Sequence, residues 1–212
     1  MERITATAPL AEAIENLRQG NGVKIIQRGN HKILRIEWLN LFNAPQLLNA
    51  LSEIIANECR IHGYKPDAVA SIETSGAKYG VAVSLKMGIP YFSIHKVEKI
   101  IFLETICTES KSITEDRAVQ LFIDRPIVSK FSRILLVDDI RRTSNTIDNA
   151  VNLLRKSGCE VEACFTILDF RFAGHPLPET LPPSRYHPLI IISEVYDDGR
   201  CVVELGEALK YL

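Results

Sequence analysis

The 212-residue chain has no charge surplus: 25 Lys and Arg stand against 26 Asp and Glu, a formal net charge of -1. That balance gives no general reason to expect binding to nucleic acid or to a membrane surface. The first 60 residues show no clear helix-turn-helix unit, and no apolar run is long enough to cross a bilayer. The opening MERITATAPLAEAIENL carries acids and lacks the basic-then-apolar order of a secretory signal. The five cysteines (Cys59, Cys107, Cys159, Cys164 and Cys201) show no C-x-x-C spacing, and most fall in or beside apolar runs. Reduced structural thiols are expected, in a cytoplasmic protein. The five histidines are scattered without zinc-ligand spacing. Internal repeats, low-complexity tracts and charge blocks are also missing. At 46% hydrophobic and 24% charged residues, this is the composition of an ordinary globule, sized for one large domain or one domain with additions.

What the chain does have is an alternation of short apolar strands and amphipathic helices. Residues 9–19 read as a helix that Gly20-Asn21-Gly22 stops, and 23–26 and 33–39 as strands around Arg28-Gly29-Asn30. Between 45 and 59, Leu47, Leu48, Leu51, Ile54 and Ile55 recur at helical spacing. Strands are expected at 68–72, 91–97, 134–137, 161–168 and 189–195, with helices at 78–86 and 146–156. Residues 98–130 break the rhythm and are too long for a plain connector. The proline-rich stretch 173–188 reads as a loop. Repeated strand–helix order predicts a parallel sheet with both faces covered.

The most informative stretch is ILLVDDIRRTSNTI, residues 134–147. Four apolar residues end on Asp138 and Asp139; a loop with Arg141, Arg142, Thr143, Ser144, Asn145 and Thr146 leads into a helix whose stripe is Ile147, Ala150, Val151 and Leu154. Strand ends in open α/β sheets are where ligands bind, and a helix start offers unpaired N–H groups to an anion. Two carboxylates beside such a phosphate seat make sense against ribose hydroxyls or a divalent cation. A purely structural account uses Asp139 as a turn residue and Thr143 as a helix cap, with the arginines solvated. It explains one acid, not two, and the motif is expected to lie on a loop outside the core. A second loop, Glu73-Thr74-Ser75-Gly76, follows the strand at 68–72. Its hydroxyls and its glycine suit close approach of backbone to an anion.

Together the two loops resemble those of the type I phosphoribosyltransferases, closest to the xanthine and purine branch. DAVASIETSG is similar to their pyrophosphate loop, IPYFSIHKV to the strand ending in a basic residue, here Lys96, and ILLVDDIRRTSNT to their signature motif. The resemblance covers roughly residues 30–195. It implies an α/β fold with a parallel sheet flanked by helices, a small hood and a flexible flap. Residues 1–60 would form the N-terminal helix and hood, 61–195 the core, and 196–212 a C-terminal extension. It implies transfer of a phosphoribosyl group from phosphoribosyl pyrophosphate to a purine-type nucleobase, with Mg²⁺ and a homodimer. The alternative is a non-catalytic phosphoribosyl pyrophosphate-binding regulator on the same fold. Asp138 and Asp139 would hold the ribose hydroxyls, directly or through Mg²⁺, with Lys96 as the third catalytic group. Glu73, Thr74, Ser75 and Gly76 would face pyrophosphate, with His95 nearby. Arg142, Thr143, Ser144, Asn145 and Thr146 would bind the 5′-phosphate. Residues 98–117 would form the flap, with Ser112 and Thr114 as its Ser-x-Thr.

Two departures stand out. The usual Thr-Gly-Gly-Thr loop is Thr143-Ser144-Asn145-Thr146 here, without the glycines that permit φ > 0. Phe170 stands where the xanthine branch carries a base-recognising lysine, with Arg171 next; a ring stacks on a base but cannot supply that hydrogen bond. With Asn40 of the hood, these are the candidate base-binding residues, and the base itself stays open.

Overall fold

The computed structural model describes residues 3–29, 31–40, 43–110 and 119–210. Its first elements are α1 (Arg3–Gln19), β1 (Val23–Arg28), β2 (His31–Ile36), α2 (Glu37–Asn40), α3 (Pro45–Ile61), β3 (Ala68–Ile72), α4 (Ala77–Met87) and β4 (Tyr91–Ile94). There follow β5 (Thr105–Ser110), β6 (Val119–Asp124), α5 (Arg125–Val128), β7 (Arg133–Arg141), α6 (Asn145–Lys156), β8 (Glu160–Phe170), β9 (Tyr186–Val195) and β10 (Cys201–Leu205).

Six strands form one sheet in the order β10-β9-β8-β7-β3-β4. Every pairing from β9 to β4 is parallel, and β10 adds an antiparallel edge. Both faces are covered, which is why β3 is buried along its whole length. Val69, Leu135, Val137 and Phe165 face the helices α1, α3 and α4. Their neighbours Ala68, Ala70, Leu136 and Cys164 face α6 and the β5–β6 hairpin. The predicted stripe of Ile147, Ala150, Val151 and Leu154 is what α6 buries. Because β4 leaves β3 on one side and β7 joins it on the other, a crevice opens beyond the carboxyl ends of β3 and β7.

Several expectations are corrected. The strand expected over 33–39 ends at Ile36, because the Asn40 side-chain oxygen accepts the Ile36 N–H at 2.8 Å and closes a short helical turn. The strand expected over 91–97 stops at Ile94, and His95 exchanges backbone hydrogen bonds with Phe122 of β6 instead. The long excursion is a hairpin: Thr105 to Ser110 pairs with Val119 to Asp124, and Ile106, Leu121 and Ile123 pack in the core beside α6. Ser112 and Thr114 lie outside the described residues. The loop expected to 188 gives way at Tyr186, where β9 begins. Residues after 195 supply β10 and the buried Leu209.

Candidate active site

β7 runs four residues past Val137, so Asp138 and Asp139 belong to a strand and not to a loop. The reason is pairing: β8 stays in register with β7 as far as Arg141 opposite Asp169. Asp138 is 6% exposed and Asp139 9%. Burial, and then the adjacent Asp139 charge, push the Asp138 carboxyl well above the ordinary carboxylate value, while the charge of Lys96 works against that rise. Asp138 Oδ1 also accepts the Asp139 N–H at 3.0 Å. A desolvated pair of adjacent acids at a strand end is poised for a cation or for hydroxyl donors.

Arg141, expected on a loop outside the core, has no exposed surface. Its Nε donates to Asp169 Oδ1 at 2.9 Å and its Nη2 to the same oxygen, while Nη1 reaches the carbonyls of His175 (3.3 Å) and Pro176 (3.0 Å). Asp169 Oδ2 in turn accepts from the Tyr186 hydroxyl at 3.3 Å and from Arg171 at 3.1 Å. Arg142 is exposed. The Ser144 hydroxyl donates to the Pro176 carbonyl at 2.6 Å. The phosphate loop that lost its glycines is thus braced by the 175–176 segment, and the Ser144 hydroxyl is already engaged. What the loop presents to an anion is backbone N–H at the start of α6, with Thr143, Asn145 and Thr146 half-buried around it. Ser144, not Thr143, is the residue that precedes the helix.

The loop after β3 meets this one. Gly76 is buried, and a Cβ built on it would lie 2.5 Å from Asp138 Oδ1 and 2.9 Å from the Ile72 carbonyl. Its role is close approach to an acid, since its φ of -67° is one any residue adopts. Thr74 and Ser75 are exposed, and the Glu73–Thr74 peptide is cis. Glu73 accepts from His95 Nδ1 at 2.6 Å and pairs with Lys99 at 3.3 Å. Burial works to raise the Glu73 carboxyl, but the His95 bond and the Lys99 charge outweigh it and hold the group below its usual value. Lys96 is exposed one residue past His95.

Sequence reasoning missed Lys78. Its ammonium donates to the Leu39 carbonyl of α2, so it ties the hood to α4. Burial lowers its pKa, and the charge of Asp139 opposes that. A signal was available: a lysine in the first turn of a helix sits against the positive end of the macrodipole and needs an acid to justify it. Lys99 and the Arg141–Asp169 pair were missed as well, because neither partner is near the other in sequence.

The three candidate base contacts are not brought together by contacts of their own. Asn40 is exposed with its oxygen bound to Ile36; Phe170 is 5% exposed, its ring 5.3 Å from that of Phe172; Arg171 is tied to Asp169 with 43% of its side chain exposed. Among the described residues there is no cluster of three or more His, Cys, Asp or Glu able to hold a metal. The two adjacent aspartates fit Mg²⁺, which binds through one or two carboxylates and completes its shell with water and substrate oxygens. Burial raises the thiols of Cys59 (to about 12), Cys159, Cys164 and Cys201 (to about 11), which suits structural and not nucleophilic roles. No described helix is long and apolar enough to cross a membrane.

Residues 37–179 match the phosphoribosyl transferase domain family. The adenine phosphoribosyltransferase of Caenorhabditis elegans is 30% identical over 129 residues, which cover 61% of this chain and 68% of that protein. The xanthine phosphoribosyltransferase of Deinococcus deserti is 28% identical over 176 residues, 82% of this chain and 90% of that protein. The crystal structure of adenine phosphoribosyltransferase from Thermoanaerobacter pseudethanolicus superposes with a TM-score of 0.67 at 22% identity, over 84% of this chain and 98% of that one, a likeness of fold. With the family match running through both loops of the crevice, the chain belongs to the phosphoribosyltransferase family, as a glycosyltransferase-type enzyme.

Proposed function

We propose that the protein joins a purine-type base to phosphoribosyl pyrophosphate and releases pyrophosphate. The observation that carries this reading is the close approach of Gly76 to Asp138, too tight for a Cβ, which sets the loop after β3 against the end of β7. The Asp138–Asp139 pair takes the ribose hydroxyls. The start of α6 takes the 5′-phosphate through N–H groups from Thr143 to Thr146, with Arg142 beside it. Residues 73–76 and Lys96 face the pyrophosphate.

The bond from the anomeric carbon to pyrophosphate breaks as a bond to a base nitrogen forms. Charge gathers on the departing oxygens, and fixed donors aimed at them lower the barrier most. Exposed Lys96, and the N–H groups after Thr74, serve that end. Mg²⁺ held at Asp138 and Asp139 would supply further neutralisation of the phosphate oxygens. Lys78 keeps the hood against α4, which helps to exclude water from a cation-like sugar. Arg171 and Asn40 are the polar groups offered to the base, with Phe170 as the apolar wall.

Adenine and xanthine enzymes among the relatives support a purine-type substrate. Val97, Ile100, Ile101 and Leu103 are exposed in the segment from which Lys99 reaches Glu73, and these uncovered apolar side chains support a homodimer. Five unpaired thiols support a cytoplasmic setting.

The test is pyrophosphate release from phosphoribosyl pyrophosphate and Mg²⁺ with a panel of purine and pyrimidine bases. Release with at least one purine is expected, and the double variant Asp138→Asn with Asp139→Asn should abolish both turnover and sugar-phosphate binding. Tight binding without release for any base would assign the chain to the regulator instead. No calorimetric heat on titrating phosphoribosyl pyrophosphate with Mg²⁺ would sink both.

A further inference from the structure

We infer that Asp148 is a positioning residue for the 5′-phosphate seat: with Ser144 it clasps residues 175–181 across the start of α6, and the clasp sets where the N–H groups of residues 143–146 point. The inference rests on the reading of that seat given above and extends it to a side chain engaged away from the seat.

Between β8 and β9 the chain runs through residues 175–181 without helix or strand, as a strap. It is tied down at two places. At one, the Pro176 carbonyl accepts from the Ser144 hydroxyl at 2.6 Å and from Arg141 Nη1 at 3.0 Å. At the other, Asp148 Oδ1 accepts from the Thr180 N–H at 2.9 Å and from the Thr180 hydroxyl at 2.6 Å. Arg155 Nη2 donates to the Thr180 carbonyl at 2.7 Å, and Leu181 is buried in the cluster that holds the apolar stripe of α6. Ser144 and Asp148 are four apart, so they lie on one side of the helix start. The Asp148 N–H also donates to the Ser144 carbonyl at 2.9 Å. One strap thus fixes together the residue that precedes α6 and an acid of its first turn.

The charge of Asp148 sharpens the inference. An acid in the first turn suits the helix dipole. It also competes with any anion bound at that end, so an acid kept there for its charge alone would weaken a phosphate seat. Its two bonds to Thr180 give it another use. Residues 143–146 lack glycine, and a path held from outside aims their N–H groups before the anion arrives, which spares the cost of ordering them on binding.

Charge and clasp predict opposite results. Asp148→Asn removes the charge and keeps an oxygen for Thr180, whereas Asp148→Ala removes both. Calorimetric affinity of the full chain for phosphoribosyl pyrophosphate with Mg²⁺ should be kept or improved in Asp148→Asn. In Asp148→Ala it should fall about fivefold, the low end of couplings between distinct sites. KM for that substrate should follow the affinity, while kcat changes less than about twofold, well under the tenfold that 1.4 kcal/mol represents. Amide hydrogen exchange over residues 174–182 should quicken in ligand-free Asp148→Ala and not in Asp148→Asn. If Asp148→Ala fails to fold, Thr180→Val should lower affinity in its place, with Thr180→Ser restoring it. Binding by Asp148→Ala as tight as the parent's, or tighter, would leave Asp148 a role in charge or stability only and would overturn the inference. An equal loss of affinity in Asp148→Asn would overturn it too. A parent protein that gives no heat with the sugar phosphate would instead overturn the functional reading itself, and this inference with it.

Discussion

The loops after β3 and after β7 leave neighbouring parallel strands at one sheet edge, yet they are held in opposite ways. Residues 73–75 are tied from the solvent side, by His95 and Lys99 on Glu73, and only Gly76 at their end is buried. The β7 loop is tied from beneath, by an arginine with no exposed surface that binds Asp169 and the 175–176 carbonyls. One loop keeps its freedom to adjust and the other is set by the core. The difference suits a sugar phosphate whose 5′ end needs a fixed seat while its pyrophosphate end must depart. It also explains how Thr143 to Thr146 can do without glycine: an external brace replaces backbone permissiveness.

The comparison breaks most visibly at Arg141. Arg141→Met roughly keeps the volume but leaves the buried Asp169 carboxylate with only Arg171 and the Tyr186 hydroxyl on Oδ2, so the cost falls at the low end of the range of about 3–5 kcal/mol for losing one partner of a buried pair. Urea unfolding should show an unfolding free energy lowered by that amount, with part of it recovered in Arg141→Met combined with Asp169→Leu. A drop below ~1 kcal/mol would mean that the brace is unimportant. Second in size is Gly76→Ala, where the new methyl must displace the Asp138 carboxylate. Overpacking of this kind costs about 1–3 kcal/mol. Because Asp138 moves, affinity for phosphoribosyl pyrophosphate should fall about tenfold as well, equivalent to ~1.4 kcal/mol. Unchanged calorimetric affinity would show that the loops act independently.

These two residues also mark how far the sequence could be read. The apolar runs at 68–72 and 134–137 announced buried parallel strands, and the stripe from Ile147 to Leu154 announced its helix, because period and composition are local properties. The acidic pair and the glycine loop were legible for the same reason. Arg141 was not. A strand-end arginine followed by a second arginine reads as solvated surface, and only the register against β8, fixed by packing of the whole sheet, delivers Asp169 to it. Nor does spacing in the chain reveal that Lys78 would reach back to Leu39, a contact made possible by the unexpected turn at Glu37 to Asn40. Local chemistry was readable; partners set by topology were not.

Asp138 near the end of β7 and Glu73 after β3 should respond to pH in opposite directions. Asp138 has its folded pKa raised, so the folded state loses stability as pH climbs from the ordinary carboxylate value through the raised one. Asp138→Asn removes that penalty and keeps an oxygen for the Asp139 N–H. The ligand-free variant should therefore melt a few degrees above the parent at pH 7, and the two should converge in acid. A variant less stable than the parent at pH 7 would contradict the raised pKa.

Glu73 carries the smallest effect and the reverse sign. Its folded pKa is depressed, so its contribution is present above the ordinary carboxylate value and fades as pH falls through the folded one. With the Glu73 side chain 28% exposed and that of Lys99 44%, solvent screens the pair, and Glu73→Gln should cost under ~1 kcal/mol at pH 7 and nothing in strong acid. Its kinetic effect should exceed its effect on stability, because His95 and Lys99 lose the group that orients them beside the departing pyrophosphate. KM for phosphoribosyl pyrophosphate should rise several-fold while the melting temperature barely moves. If stability falls as far as for Gly76→Ala, then the β3 loop is as rigidly anchored as its neighbour, and the division of labour between a fixed seat and an adjustable one is wrong.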